Sequence, residues 1–205
     1  MNTIYLITNN CFVSDNIIYK DYVSFDEQRK YRPLTVNGEK VALTITKNKN
    51  LSKIDAIYSS TYFSSIDTSK YLKDKLNLDL IIDKRLDDRK VGNLTDNSLN
   101  LRNLQEHDFD YKLANGESLN NVKNRMKTFI KEILQNHENS NIALFTHNIP
   151  VISLLSIWCE KGFNYEEKLI LNYNDSVIVD GLRNDYNIIK LEFDNDNLEN
   201  ITRIV

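Results

Sequence analysis

The 205-residue chain lacks several features that would place it quickly. Its two cysteines, Cys11 and Cys159, lie far apart in sequence. Two such thiols make no disulfide framework, and they fit a reducing, cytoplasmic setting. No apolar run approaches the roughly 18 residues that would span a bilayer, so no membrane partner is expected. The first residues run straight into a strand pattern, without the basic segment and apolar stretch of a secretory signal. A net charge of -3 leaves no basic footprint for nucleic acid. No Cys/His cluster has metal-ligand spacing, so neither a metal nor a cofactor is expected. There is no internal repeat and no linker. What is present is ordinary for a globular protein: 41% hydrophobic and 27% charged residues, enough to bury one sizeable core.

The run Ile4-Tyr5-Leu6-Ile7-Thr8-Asn9-Asn10 is apolar, then abruptly polar. It reads as a buried central strand whose C-terminal end opens onto a crevice, where open α/β sheets place ligands. Ile142-Ala143-Leu144-Phe145-Thr146-His147-Asn148 is a near copy, so both strand ends are expected to build one site. Between them, residues 11–33 read as a long loop with some helix. Thr35 is a candidate N-cap for a helix through residues 38–42. Residues 54–58 and 78–82 read as strands and residues 65–76 as a helix. Residues 83–115 are charged and weakly periodic, an insertion with one helix near 99–107. Residues 117–135 carry the clearest helical stripe: Leu119, Val122, Met126, Phe129, Ile130, Ile133 and Leu134. Pro150 suits the first turn of a helix running to 158. Strands at 176–179 and 186–193 are expected to pair as a hairpin about residues 181–185. Alternating strands and helices predict an α/β three-layer sandwich, a mostly parallel central sheet with helices on both faces.

Six blocks, in order, resemble the histidine phosphatase superfamily, the phosphoglycerate mutase-like fold. That family opens with a strand ending Arg-His-Gly, and here the strand ends Thr8-Asn9-Asn10. Its Pro-Leu-Thr-x-x-Gly-x-x-Gln-Ala block is similar to Pro33-Leu34-Thr35-Val36-Asn37-Gly38-Glu39-Lys40-Val41-Ala42. Its Tyr-Ser-Ser block with a later Arg is similar to Tyr58-Ser59-Ser60, with Ser64 at the Arg position. Its Leu-x-Glu-x-x-x-Gly block resembles Leu86-Asp87-Asp88-Arg89-Lys90-Val91-Gly92. Gly116-Glu117-Ser118 with Arg125, and Thr146-His147-Asn148, complete the series. The resemblance implies one histidine-phosphatase-like domain over residues 1–205, with 83–115 as a cap region.

In that family the first His attacks phosphorus, two Arg and a second His hold the phosphoryl oxygens, and a Glu protonates the leaving group. These roles need a good nucleophile, fixed positive charge and a general acid. Position by position, the resemblance puts Asn9 at the nucleophile, Thr8 and Ser64 at the two Arg, and Asp88 at the Glu. His147 alone is unchanged. An amide nitrogen has its lone pair delocalised into the carbonyl and cannot take a phosphoryl group as imidazole does. Each charge-assisted bond is worth about 1.5–3 kcal/mol, so losing both Arg weakens phosphoryl binding by about 3–6 kcal/mol. Arg32, Arg89 or Lys90 could swing in to replace them. Asn10 and Asn148 stand at family glycines, and Asn tolerates left-handed backbone.

Each of these residues also has a plainer reading. His147 could be a hydrogen-bonded structural histidine, Asp88 a solvated carboxylate, Ser64 a helix N-cap, and Thr8 and Asn9 inert filler. Cys11 is a thiolate candidate beside the pocket or a small buried hydrophobe. His107 and His137 read as surface residues. Three functions follow from these alternatives. The first is a degenerate family member without phosphohistidine phosphatase activity, binding a small anionic or phosphorylated ligand, or a protein partner, through Thr8, Asn9, Asn10, Ser64 and Asn148. The second is a hydrolase of altered mechanism, with His147 as nucleophile or base and Asp88 as acid. The third is an interaction module that does not use the pocket.

Overall fold

The computed structural model describes residues 1–13, 24–94, 100–180 and 185–205. Strand β1 (Asn2–Asn9) is buried along its whole length. The next elements are α1 (Phe25–Lys30), α2 (Val36–Thr46), β2 (Ala56–Ser59), α3 (Phe63–Leu76) and β3 (Leu80–Ile82). They are followed by α4 (Leu101–His107), α5 (Leu119–Asn136), β4 (Asn141–Thr146) and α6 (Asn148–Leu155). The chain closes with β5 (Glu160–Phe163), β6 (Leu169–Tyr173), β7 (Ser176–Asp180), β8 (Tyr186–Asp194) and β9 (Asn197–Arg203).

Six strands form the main sheet in the order β3-β2-β4-β1-β8-β9. The β3-β2, β2-β4 and β4-β1 ladders are parallel; β8 and β9 are antiparallel additions. The expected mostly parallel α/β sheet is therefore present. Alternation along β1 and β4 sends Ile4, Leu6, Ile142 and Leu144 into the core under α5 and α6. Tyr5, Ile7, Ala143 and Phe145 enter the opposite core, under α2 and α3. Strands covered on both faces read as continuous apolar runs, which is why these two were visible in the sequence.

Local signals explain the main helices. Thr35 accepts from the Gly38 amide at 3.0 Å, as a cap should. Gly38 is also required for close approach: a Cβ there would meet the Cys11 carbonyl oxygen at 2.1 Å. Ser118 and Asn121 form a reciprocal capping box on α5, both bonds 3.1 Å. Its stripe residues Leu119, Val122, Met126, Phe129, Ile130 and Ile133 are all buried. Pro150 lies in the first turn of α6, where its missing N–H costs nothing.

Three expectations are corrected. The hairpin of residues 176–193 does not form. Strand β7 pairs with β6 in a separate antiparallel sheet, β5-β6-β7, turning at Asn174 and Asp175, both with positive φ. Strand β8 instead pairs with β1 and makes its hairpin with β9, turning at left-handed Asn195. Its residues Asn187, Ile188 and Ile189 are buried in succession, so it needs cover on both faces, which a peripheral hairpin would not supply. The expected turn itself falls mostly on residues 181–184, outside the described residues. Second, Ser64 is not the cap of α3: Tyr62 is the N-cap residue, without a side-chain bond, and Ser64 sits inside the first turn. Third, neither Asn10 nor Asn148 is among the residues with positive φ. Asn148 opens α6 in helical conformation, so the tolerance for left-handed backbone is not used there. Among the described residues no helix is long and apolar enough to cross a membrane.

Candidate functional site

The C-terminal ends of β1 and β4 lie side by side, with Thr8 paired to Thr146. His147, the next residue, is the N-cap residue of α6 and follows the strand's alternation toward α3. Its Nε2 lies 2.9 Å from Ser60 Oγ and 3.3 Å from Ser65 Oγ. The Tyr62 ring meets the imidazole edge-on at 4.6 Å. Burial pushes the His147 pKa down to about 4, and Arg29 and Arg125 add to this against the pull of Asp88. His147 is therefore neutral at pH 7.

Asp88 approaches from the segment after a 3-10 turn at Lys84–Leu86. One carboxylate oxygen accepts the Arg89 amide at 2.8 Å, and the other is ion-paired with Arg29. Burial alone would raise the Asp88 pKa, but Arg29, His147 and Arg89 hold it down to about 2. A carboxyl so firmly ionised is a poor proton donor near neutrality, which weighs against its expected role as the acid of a hydrolase.

The remaining predicted residues divide by strand face. His147, Asp88 and Ser64 line one inner cavity together with Phe12, Arg29, Arg32 and Tyr62. Thr8, Asn9, Asn10 and Asn148 do not line it. Thr8 faces the α5/α6 side and accepts from Asn187 Nδ2 at 3.1 Å. Asn9 faces α2 and α3: its Nδ2 donates to the Gly38 carbonyl at 3.0 Å and to Thr68 Oγ1 at 3.1 Å. Its Oδ1 accepts the Cys11 amide at 3.0 Å. Three such bonds in a buried setting are worth about 1 kcal/mol each, so turning Asn9 toward the cavity costs about 3 kcal/mol. The Asn10 amide donates to the Asp185 carbonyl at 2.7 Å.

The inner cavity measures about 20 Å³. That is room for roughly one water molecule and not for a phosphoryl group with its oxygens. Two cations reach it, and both come from the α1 region. Arg32 is buried and lies over the Phe12 and Phe25 rings, at 6.0 and 5.8 Å. Arg29, absent from the sequence-based candidates, joins Asp88 and donates to the Arg89 carbonyl at 3.0 Å. Its signal was the spacing of Phe25 and Arg29, four residues apart on one face of α1. Arg89 turns away and pairs with Gln105. Lys90 lies on a wider outer cleft of about 620 Å³, which shares Tyr62 and Asp88 with the inner cavity. Arg125 is held by Glu117 at 2.9 Å and by the Arg85 carbonyl at 2.7 Å.

The other candidates lie elsewhere. Cys11 is half-buried beside Asn37 and Asp185, and burial followed by Asp185 raises its thiol pKa, away from a reactive thiolate. His107 is exposed and stacks on Phe163 at 4.5 Å. His137 is half-buried, its Nε2 2.9 Å from Tyr58 Oη.

The histidine phosphatase superfamily (branch 1) matches residues 27–194. The chain belongs to that superfamily. The matched residues begin after β1, so the superfamily match does not include Thr8, Asn9 and Asn10. Phosphoserine phosphatase 1 of Hydrogenobacter thermophilus is 25% identical over 127 residues, 58% of this chain and 60% of that protein. The probable phosphoglycerate mutase GpmB of Proteus mirabilis is 27% identical over 133 residues, 60% of this chain and 62% of that protein. The chain thus spans about three fifths of the length of these relatives. Among solved structures, a mycobacterial glucosyl-3-phosphoglycerate phosphatase in complex with inorganic phosphate superposes with a TM-score of 0.67. It is 13% identical, covering 99% of this chain and 95% of that one. At that identity the likeness shows the superfamily fold.

Proposed function

We propose that this histidine phosphatase-fold protein binds an anionic or phosphorylated small ligand and acts in binding or regulation, without passing a phosphoryl group through a phosphohistidine. One observation carries the reading. At the nucleophile position the Asn9 amide is not a nucleophile, and both its N–H donors and one acceptor direction are committed to Gly38, Thr68 and the Cys11 amide. The cavity volume and the ionised Asp88 support the same reading, since they leave neither room for the transferred group nor a proton donor. The ligand class is drawn from the relatives, whose names specify phosphoserine and phosphoglycerate chemistry. In this reading residues 1–205 act as one domain in the cytoplasm.

The test is steady-state hydrolysis of p-nitrophenyl phosphate by the full chain. The expected rate equals the buffer blank, and His147→Ala does not change it. Sustained hydrolysis that His147→Ala abolishes would overturn the proposal.

A further inference from the structure

The outer cleft carries more unpaired positive charge than its composition suggests. Arg85 is committed to Asp83 and Glu132, both contacts 2.6 Å, and Arg125 to Glu117. The acids are also largely occupied. Asp26 takes the Val91 and Gly92 amides at 2.9 and 3.0 Å, and Asp87 takes the Thr61 amide and hydroxyl at 2.7 and 2.9 Å. Asp88 is paired with Arg29. That leaves the ammonium groups of Lys30, Lys84 and Lys90, which have no hydrogen bond or ion pair among the described residues. Lys30 does act on Asp87 and Lys84 on Asp83 through space. One lining carboxylate, Glu27, is similarly uncommitted.

We propose that Lys30, Lys84 and Lys90 form an anion-binding site in the outer cleft for a small molecule carrying at least two anionic groups, phosphate or carboxylate. The inner cavity holds about one water, so recognition shifts outward to a cleft of about 620 Å³, within the range of small-ligand sites. The three ammonium groups line one concave surface with donors to spare, and a multivalent anion lets each lysine donate to it. The Tyr62 ring lines the same cleft and adds an apolar wall. The inference rests on the reading of the protein as a binder.

Inorganic pyrophosphate is the probe, titrated calorimetrically into the full chain at low ionic strength, with acetate as the monoanion control. Saturable pyrophosphate binding is expected, weakening as salt rises. Lys30→Gln, Lys84→Gln and Lys90→Gln should each weaken it about fivefold, and the triple variant about a hundredfold. Lys49→Gln, in the 3-10 turn preceding β2 at the opposite end of the sheet, should leave it unchanged. Thermal melts confirm that each variant is folded. Absence of saturable binding at millimolar pyrophosphate, or binding that the triple variant retains within twofold, would overturn the inference. Those outcomes leave the proposal of lost phosphohistidine chemistry standing. Hydrolysis dependent on His147 would sink that proposal without touching the lysine site.

Discussion

Asp88→Ala is expected to destabilise the protein by about 3–5 kcal/mol, the largest single effect outside the apolar core. The substitution strands the Arg29 guanidinium, which would keep only the Arg89 carbonyl at 3.0 Å and Asp26 at 3.6 Å. Arg32 also lines the cavity, so the inner site would gain net positive charge. For a chain of this size the loss lowers the melting temperature by roughly 10 °C. The pair is not expected to add much over a well-packed apolar replacement, because desolvating two ions offsets most of their attraction. The double variant Arg29→Met, Asp88→Leu should therefore recover most of the lost stability, a strong non-additivity. Thermal denaturation of the two single variants and the double checks this. A cost below about 1 kcal/mol for Asp88→Ala would mean that the pair behaves as a solvated surface contact.

The second large effect is a loss of stability in mild acid that traces to His147. Its folded pKa is about 4, below the value near 6.5 of an unfolded chain. The unfolded state therefore takes up the proton first. Stability from this group is fully present above the unfolded value and disappears as pH falls toward the folded one. The expected loss is roughly 2 kcal/mol between about pH 7 and about pH 5, rising to about 3 kcal/mol near pH 4. Asp88 adds a separate loss only at lower pH, since its folded pKa of about 2 lies below the usual carboxylate value. Urea titrations across this range measure the slope. His147→Gln should flatten it between about pH 7 and about pH 5, whatever its effect on absolute stability. An unchanged slope would place the acid sensitivity elsewhere.

How much of this was legible in sequence depended on periodicity. Strands β1 and β4 and helix α5 declare themselves because their burial pattern is continuous or strictly helical. Order and spacing of short motifs then pointed to the family, and the superfamily match over residues 27–194 agrees. The topology after α6 was harder. Strands β7 and β8 are both plausible strands, and nothing local says that β8 belongs beside β1 with β9 next to it. The Asn-Asp turn at 174–175 and the Asn-Asp turn at 195–196 mark the true hairpins. At the site, Ser64, Asp88 and His147 meet around one cavity. Thr8 does not, because strand alternation turns it to the opposite face and onto Asn187, and Asn9 does not, because its bonds to Gly38 and Thr68 hold it in the scaffold. Arg29 was missed because its segment is short and weakly periodic. Its importance comes from a tertiary contact with a residue 59 positions away.

These bonds suggest why the polar ends of β1 persist without the chemistry their positions imply. Asn9 ties the sheet to two helices, and Arg29 with Asp88 closes the cavity with the protein's own ion pair. The most direct test of this account is intact-mass measurement of the full chain after incubation with p-nitrophenyl phosphate at neutral pH, followed by peptide mapping under conditions that preserve phosphohistidine. The account predicts no phosphoryl adduct on any residue. A stoichiometric adduct, mapped to His147 or to any other side chain of the cavity, would contradict it.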